Sequence, residues 1–265
     1  MKKRRFAAFL LLCTIFSCSL SRTPAGMVYA EQANEQESAQ AYPDTVQWFT
    51  ATYAILTYRN GGELLVPGGG TPDDTFYAAV LKEVLQRDWN ITDRKSAEDM
   101  ITWLETEGHN QALKNYYDEH QLGQFATDMD LNASWDSTSE VISDAEAVRQ
   151  MSAYMAYKTY GDYAVSAWDL SRALMLLGDY YVIGYYTYEE AMDKSLEIGR
   201  KLQAMYPSWD DFTQSYMYGY AYWSRPDVED PQSEFHYRIS VYNYLKTMEN
   251  GPYRLDWNME LKKEW

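Results

Sequence analysis

The stretch Ser166–Gly178, which reads SAWDLSRALMLLG, decides the fold predicted for this chain. On a helix with about 3.6 residues per turn, its apolar side chains cover most of the surface. One stripe consists of Ala167, Leu170, Ala173, Leu174 and Leu177, and the opposite side carries Val165, Trp168, Met175 and Leu176. A helix that is apolar nearly all round lies inside a core. We therefore predict a central buried helix over about residues 162–178.

Two charged residues interrupt this apolar helix. Asp169 and Arg172 are three positions apart, so they are neighbours on the helix surface. A buried carboxylate needs a partner, and Arg172 supplies one within a single turn. We favour a structural ion pair. The alternative is the floor of a pocket, in which Asp169 acts as acid or base and Trp168 forms a wall.

The rest of the chain repeats the helical pattern and offers no convincing pair of alternating strands. The first helix is predicted over Pro43–Arg59 and the last one from about Gln232 to Met248. Gly108 is interpreted as the end of a helix that begins near Ser96. The sequence thus predicts a single all-α domain over residues 43–250, with about eight or nine helices around the central one.

Several acidic residues stand near predicted helix starts, where a carboxylate satisfies free backbone N–H groups. We interpret these acids as caps rather than as catalytic carboxylates; they are Asp74, Asp99, Glu146, Glu190 and Asp211. The segment Gly68–Gly70 also precedes a helix, as phosphate-binding loops do. No Lys-Ser or Lys-Thr follows it, so we interpret it as a loop.

The first 30 residues have the features of an export signal. Lys2–Arg5 is basic, Phe6–Phe16 is apolar but too short to span a bilayer, and Val28–Ala30 offers small residues for cleavage before Glu31. The alternative is a lipoprotein signal that ends at Cys18. A flexible polar tether is predicted over residues 31–42 and a C-terminal tail over 251–265.

Charge and composition exclude some partners. The formal net charge is −16, and loss of the basic leader would make it −21. Nucleic acid and anionic lipid are therefore not expected partners. Both cysteines, Cys13 and Cys18, lie in the leader, so the mature chain is expected to be free of cysteine. The 25 Tyr, 9 Trp and 8 Phe residues indicate a core rich in aromatic rings.

Several ordered segments together resemble the domain of unknown function 1266 family. They are Trp89–Asp93, Leu104 with Gly108-His109, Ala167–Arg172, Gly184-Tyr185 before Thr187–Ala191, Leu202-Gln203, Ser208-Trp209, and Gly219 before Trp223. The likeness covers about residues 89–223. Asn110 departs from the pattern, in which a basic residue commonly follows Gly-His. The resemblance implies a bacterial, mostly helical domain whose biochemical role is not established.

Candidate site residues are few. His109 follows a helix-ending glycine, so we interpret it as a cap, with a catalytic base as the alternative. Ligand-pocket candidates are Trp168, Trp209 and Trp223. His120 and His236 show no ligand spacing with each other or with His109, so zinc is not expected, and no cofactor is predicted.

The segment Asp128–Asp136 places oxygen side chains at every second position, as the first part of a calcium loop does. Its candidate ligands are Asp128, Asp130, Asn132 and Asp136. Ala133 stands where the turn needs glycine, and Glu140 lies one residue beyond the bidentate position. We therefore expect a solvated acidic loop, with absent or weak calcium binding.

Two classes of function remain. The first is an exported, non-catalytic binding or interaction module that meets another protein or a cell-surface ligand. The second is a secreted hydrolase of glycan or peptidoglycan, in which paired carboxylates and stacking aromatic rings would be expected. No nucleophile elbow or HExxH motif is found, so the binding function is favoured.

Overall fold

The structure is a computed structural model that describes residues 42–128, 130–131, 134 and 143–265. In this part of the chain there are ten α-helices and no β-strand, so the all-α prediction is confirmed. In chain order the helices are α1 (Asp44–Thr52), α2 (Ala54–Asn60), α3 (Thr75–Trp89), α4 (Arg94–Thr106), α5 (Gly108–Glu119), α6 (Asp144–Tyr160), α7 (Ser166–Val182), α8 (Tyr188–Met205), α9 (Trp209–Ser224) and α10 (Glu234–Thr247).

The chain forms two compact units. Among the described residues, the first unit contains Trp103–Leu170 and Ser208–Tyr237. The second contains residues 42–102, Ser171–Pro207 and Arg238–Trp265. No helix of the described part is long and apolar enough to cross a membrane.

The burial predicted for the central helix is confirmed. The apolar residues that are nearly inaccessible along α7 include Ala167, Leu170, Ala173, Leu174, Leu176 and Leu177. Asp169 and Arg172 are buried with them, at 1% and 8% exposure. Two charged side chains therefore reside in an apolar environment, where each needs compensating contacts.

In the first unit, α6 packs against both α5 and α9. Ser208 caps the start of α9, and its hydroxyl accepts a hydrogen bond from the Asp211 N–H at 3.1 Å. Its buried rings include Tyr216, Tyr218, Tyr220 and Tyr222. The high tyrosine content thus supplies much of this core, since a tyrosine buries its ring and keeps a polar tip.

In the second unit, α1 packs against α8, and residues 255–265, which form no regular helix or strand, contact both helices. Trp257 is buried with its ring 4.9 Å from that of Trp48, and its indole N–H donates to the Tyr206 carbonyl at 2.6 Å. The Arg200 guanidinium donates to the Leu261 carbonyl at 2.8 Å. Side-chain donors thus bind backbone carbonyls that have no partner within a helix or strand.

The predicted first helix, Pro43–Arg59, is wrong in one respect because the chain breaks at Tyr53 into α1 and α2. Tyr53 leaves helical geometry at φ −118° and ψ 15°. Just before it, the Thr50 and Thr52 hydroxyls donate to the carbonyls of Gln47 and Phe49. Such hydroxyl bonds compete with the regular helical bonds, which favours an early helix end.

Two of the five acids predicted as caps, Asp74 and Glu190, form the expected bonds at helix starts. Asp74 accepts from the Tyr77 N–H at 2.9 Å, and Thr187 and Glu190 form a complete capping box. The other three predicted caps are wrong. The Asp99 carboxylate pairs with Lys95 on the surface of α4, and the Glu146 and Asp211 carboxylates accept from the hydroxyls of Tyr116 and Ser208. At the start of α4, the Asp93 carboxylate accepts from the Ser96 N–H. The helix therefore begins at Arg94, two residues before the predicted start near Ser96.

Candidate functional site

Asp169 belongs to α7, and its carboxylate contacts the N-terminus of α5. Its Oδ1 accepts a hydrogen bond from the His109 N–H at 3.0 Å, and its Oδ2 accepts one from the Asn110 N–H at 2.8 Å. These are first-turn amides, which have no partner within their own helix. A carboxylate here also meets the positive end of the helix dipole. The buried charge of Asp169 therefore receives two charge-assisted hydrogen bonds from backbone groups.

Gly108 makes this approach possible, and it corrects the predicted boundary. Helix α4 ends at Thr106, and Gly108 is the first residue of α5 rather than the end of the preceding helix. Its φ is +55°, in the left-handed region that favours glycine. A Cβ at this position would lie 2.6 Å from Asp169 Cγ. Only a residue without a side chain lets the carboxylate reach the two amides.

His109 adds an imidazole to the same cluster. Its Nδ1 lies 3.3 Å from Asp169 Oδ1, and its ring meets the Trp103 ring edge-on at a centroid distance of 5.5 Å. The His109 side chain is 21% exposed, whereas that of Asp169 is 2% exposed. The imidazole therefore lies between the buried carboxylate and the solvent.

Asn110 ties α5 to the segment that leads into α7. Its side-chain oxygen accepts from the Val165 N–H at 2.9 Å, and its amide group donates to the Asp162 carbonyl at 2.8 Å. Lys114, one turn further along α5, forms an ion pair with the Asp162 carboxylate at 2.7 Å. Asn110 thus has a positioning role that depends on its short amide.

Two of the predicted pocket tryptophans, Trp168 and Trp223, contact each other, and Trp168 directly precedes Asp169 in the sequence. Trp168 is buried and Trp223 is 55% exposed, with ring centroids 5.8 Å apart. Tyr220 lies 5.9 Å from Trp168 and 6.4 Å from Trp223. Helix α9 approaches Trp168 closely at Gly219, where a Cβ would lie 2.7 Å from Trp168 Cγ. We call the rings of Trp168, Tyr220 and Trp223 the aromatic stack.

The second unit holds a different polar junction. The Arg94 guanidinium donates to the Glu190 carboxylate at 2.8 Å and to the Tyr185 carbonyl at 3.1 Å. The Tyr185 hydroxyl donates to the Thr92 carbonyl at 2.7 Å. The Arg94 ion pair, with help from the Thr187 N–H, lowers the pKa of Glu190 to about 2. This junction joins the start of α4 to the start of α8 and leaves Glu190 fully charged.

A family model described as "Protein of unknown function (DUF1266)" matches residues 84–257. The chain belongs to the DUF1266 family. No curated protein and no solved structure matches it.

The segments that resemble the DUF1266 family come together within each unit. In the first unit, Gly108-His109 receives the Asp169 carboxylate of the Ala167–Arg172 segment, and Gly219 meets Trp168 of that same segment. In the second unit, Thr92 meets Tyr185. These separated segments thus take part in shared contacts.

Other predicted site residues lie elsewhere. Arg172 is buried, with its guanidinium 5.7 Å from the centre of the Trp89 ring. Trp209 is buried and meets the Phe212 ring edge-on at 6.1 Å. The pairing of Asp169 with Arg172 stays a prediction, and the backbone amides of α5 are partners that the helical spacing did not indicate.

The predicted calcium segment is only partly described, because Asn132 and Asp136 lie outside the described residues. Asp130 accepts from the Thr127 N–H at 3.0 Å. Within the described residues, no group of three or more His, Cys, Asp or Glu side chains is placed to hold a metal ion. His120 stacks on Tyr116, and His236 Nε2 lies 2.9 Å from the Val228 carbonyl oxygen.

Sequence reasoning missed Asp179, near the C-terminal end of α7. It is only 6% exposed, and burial raises its pKa well above the usual range. The sequence did contain a signal for a buried acid, because Asp179 follows the apolar run Leu174–Leu177 closely and precedes Tyr180 and Tyr181.

Proposed function

We propose that this DUF1266 chain is an exported, non-catalytic binding module that takes a basic segment of another protein on its aromatic stack. The observation that carries the proposal is the state of Trp223, a large ring that is 55% exposed yet already ordered against Trp168 and Tyr220. Tryptophan is enriched among the residues that dominate binding energy at interfaces. A ring ordered in advance loses little conformational entropy on binding.

The charge next to Trp223 favours a basic partner. The exposed residues that follow it are Arg225, Asp227, Glu229 and Asp230, which together carry a net charge of −2. A guanidinium over an indole ring gains about 0.5–2 kcal/mol, and neighbouring carboxylates add ion pairs. The net charge, −16 for the whole chain and −21 after loss of the leader, also attracts cations over a longer range.

Binding is favoured over hydrolysis because four of the acids considered as catalytic candidates form hydrogen bonds or ion pairs within the protein. Asp169 accepts two backbone N–H groups, Glu190 holds Arg94, and Asp211 accepts from the Ser208 hydroxyl. Glu146 accepts from the Tyr116 hydroxyl. A general acid of a glycosidase needs a pKa raised toward neutral pH, and the pKa of Glu190 is lowered.

Export is part of the proposal and rests on the sequence alone. The basic, apolar and small-residue parts of residues 1–30 support cleavage after Ala30, and an anchor at Cys18 is the alternative. These residues lie outside the described part of the chain. A bacterial source is proposed from the family resemblance.

The test is calorimetric titration with two synthetic peptides of equal length, one rich in arginine and the other with glutamine in place of each arginine. We expect the arginine peptide to bind, and Trp223→Ala to weaken its affinity at least about tenfold, the effect of about 1.4 kcal/mol. The matched control is Phe76→Ala, because Phe76 is 79% exposed and lies in the second unit. Equal binding of the glutamine peptide, or unchanged affinity in Trp223→Ala, would overturn the proposal.

A further inference from the structure

Helix α3 buries little of its own surface. Of its 15 residues only Leu85 is buried, at 1% exposure. Its first turn is anchored by Tyr77, whose hydroxyl donates to the Gly68 carbonyl at 2.7 Å. Most of the stability of a protein helix comes from tertiary packing of an apolar face. A helix with one buried side chain lacks most of that support within its own chain.

The other side of α3 carries exposed apolar residues. Phe76 is 79% exposed and Val80 is 43% exposed, and Ala79 between them is exposed as well. Phe76 and Val80 are four positions apart and therefore lie on one face, whereas Leu85, nine positions after Phe76, lies on the opposite face. We call Phe76, Ala79 and Val80 the α3 strip.

The α3 strip stands out among the apolar residues at the surface. In the part of the chain that the structure describes, four large apolar side chains are exposed, and two of them belong to this strip. Single exposed apolar residues are common, whereas neighbours on one helix face mark an interaction surface. The strip therefore calls for an apolar partner surface of similar size.

The two ends of the α3 strip carry opposite charges. Asp73 and Asp74 precede the strip and are exposed. Arg87 follows it on the same face, because it lies eleven positions, or about three turns, after Phe76. The Arg87 side chain is 71% exposed and pairs only with its neighbour Asp88, at 2.6 Å. Exposed pairs of this kind contribute little, so Arg87 can pair with another carboxylate at little cost.

A surface with an apolar centre, an acidic end and a basic end is complementary to its own reverse. A two-fold axis brings the same patch of two copies together, and helices that cross it run antiparallel. Asp73 and Arg87 each lie seven positions from Val80, so an axis at Val80 places each of them opposite the other. Glu83 lies on the same face, and the antiparallel arrangement keeps its two copies apart, whereas a parallel one would place them side by side.

We propose that the α3 strip is the interface of a two-fold homodimer. Two α3 helices pack antiparallel with Val80 at the axis, and Arg87 of each copy pairs with Asp73 of the other. The interface lies within the second unit, so it is independent of the aromatic stack in the first unit.

The contact is small, and the dimer is therefore weak. Stable interfaces bury about 1,200–2,000 Å² in total, which is more than one helix face supplies. The net charge of −16 opposes association, but at physiological ionic strength charges interact only within about 8 Å. We therefore expect a dissociation constant in the micromolar range and a dimer that strengthens when salt screens the net charge.

The test is sedimentation velocity of the mature chain from about 1 µM to about 1 mM. We expect a reversible equilibrium between monomer and dimer. Phe76→Asp should raise the dissociation constant at least about tenfold, because it places a charge in the apolar contact. Tyr163→Asp is the matched control, since Tyr163 is a 45% exposed ring of the first unit, and its dissociation constant should be that of the native chain.

A charge exchange tests the antiparallel arrangement itself. Arg87→Glu alone and Asp73→Lys alone should each weaken the dimer, because like charges then meet at both ends of the contact. An equal mixture of the two variants should associate as the native chain does, since the new glutamate of one chain faces the new lysine of the other. A parallel pair or a contact elsewhere on the molecule would give no such recovery.

Three results would each overturn the proposal. They are a native chain that stays monomeric up to about 1 mM, a dimer that Phe76→Asp leaves unchanged, and a mixture of the two charge variants that associates no better than either alone. Because all the substituted side chains are exposed, circular dichroism should show native helix content in every variant.

Discussion

At the scale of single residues, Asp169 shows how one carboxylate stabilises a helix from outside it. It lies in α7, yet it accepts hydrogen bonds from the first-turn amides of His109 and Asn110 in α5. The capping residue is thus 59 and 60 positions away along the chain. A local cap at Glu107 forms no side-chain bond to this helix start.

We predict that Asp169→Asn lowers the free energy of unfolding by about 1.5–3 kcal/mol, the value of one hydrogen bond to a charged group. An amide side chain offers one acceptor oxygen, so one of the two N–H groups loses its bond. Urea unfolding measures the change.

Asp74→Asn is the control for this substitution. Asp74 is exposed and caps α3 through the Tyr77 N–H, and asparagine caps as well as aspartate does. We expect a change within about 0.5 kcal/mol. Equal stability losses in the two variants would show that the buried position of Asp169 does not matter.

At the scale of elements, the junction between α4 and α5 is set by Gly108. The residue combines a left-handed φ of +55° with close contact to the Asp169 carboxylate. Conformation and space therefore both require glycine. The two requirements can be separated, because Gly61 has φ +73° and open space where its Cβ would be.

We predict that Gly61→Ala destabilises the chain by about 1–2 kcal/mol, the cost of a left-handed residue with a side chain. Gly108→Ala should cost a further 1–3 kcal/mol or so, because its methyl group displaces Asp169. Thermal or urea unfolding of both variants gives the difference. Similar values for the two would indicate that the carboxylate moves aside at no cost.

At the scale of the whole molecule, Asp179 links stability to pH. Burial raises its pKa, so the folded chain keeps this proton when the unfolded chain, with an aspartate pKa of about 3.9, has lost it. Folding then binds a proton, and the contribution of Asp179 to stability falls as pH rises above that value. This sign is opposite to that of Glu190, whose lowered pKa stabilises the fold above its unfolded value.

We predict that Asp179→Asn gains stability relative to the native chain by up to about 1.4 kcal/mol per pH unit above pH 4, until the folded carboxyl ionises. At pH 3 the two proteins should differ little, since both carry a neutral side chain there. Urea unfolding at a series of pH values measures the difference. A constant difference from pH 3 to pH 7 would contradict the raised pKa.

Local sequence patterns were sufficient to predict the helical fold and the burial of α7. Apolar residues around the whole of Ser166–Gly178 leave no face for water, and caps such as Thr187 with Glu190 depend on neighbours three positions apart. These are local properties, so spacing along the chain is sufficient to predict them. The family, too, was recognisable from ordered local segments.

Only the tertiary structure decided which groups the buried acids meet. The partners of Asp169 are backbone amides some 60 positions away, and backbone groups leave no trace in residue spacing. Gly178, next to the buried Asp179, is in backbone contact with Gly68, more than a hundred positions earlier in the chain. Spacing predicts which side chains share a helix face, whereas burial and long-range contacts determine which charge is compensated and which must stay neutral.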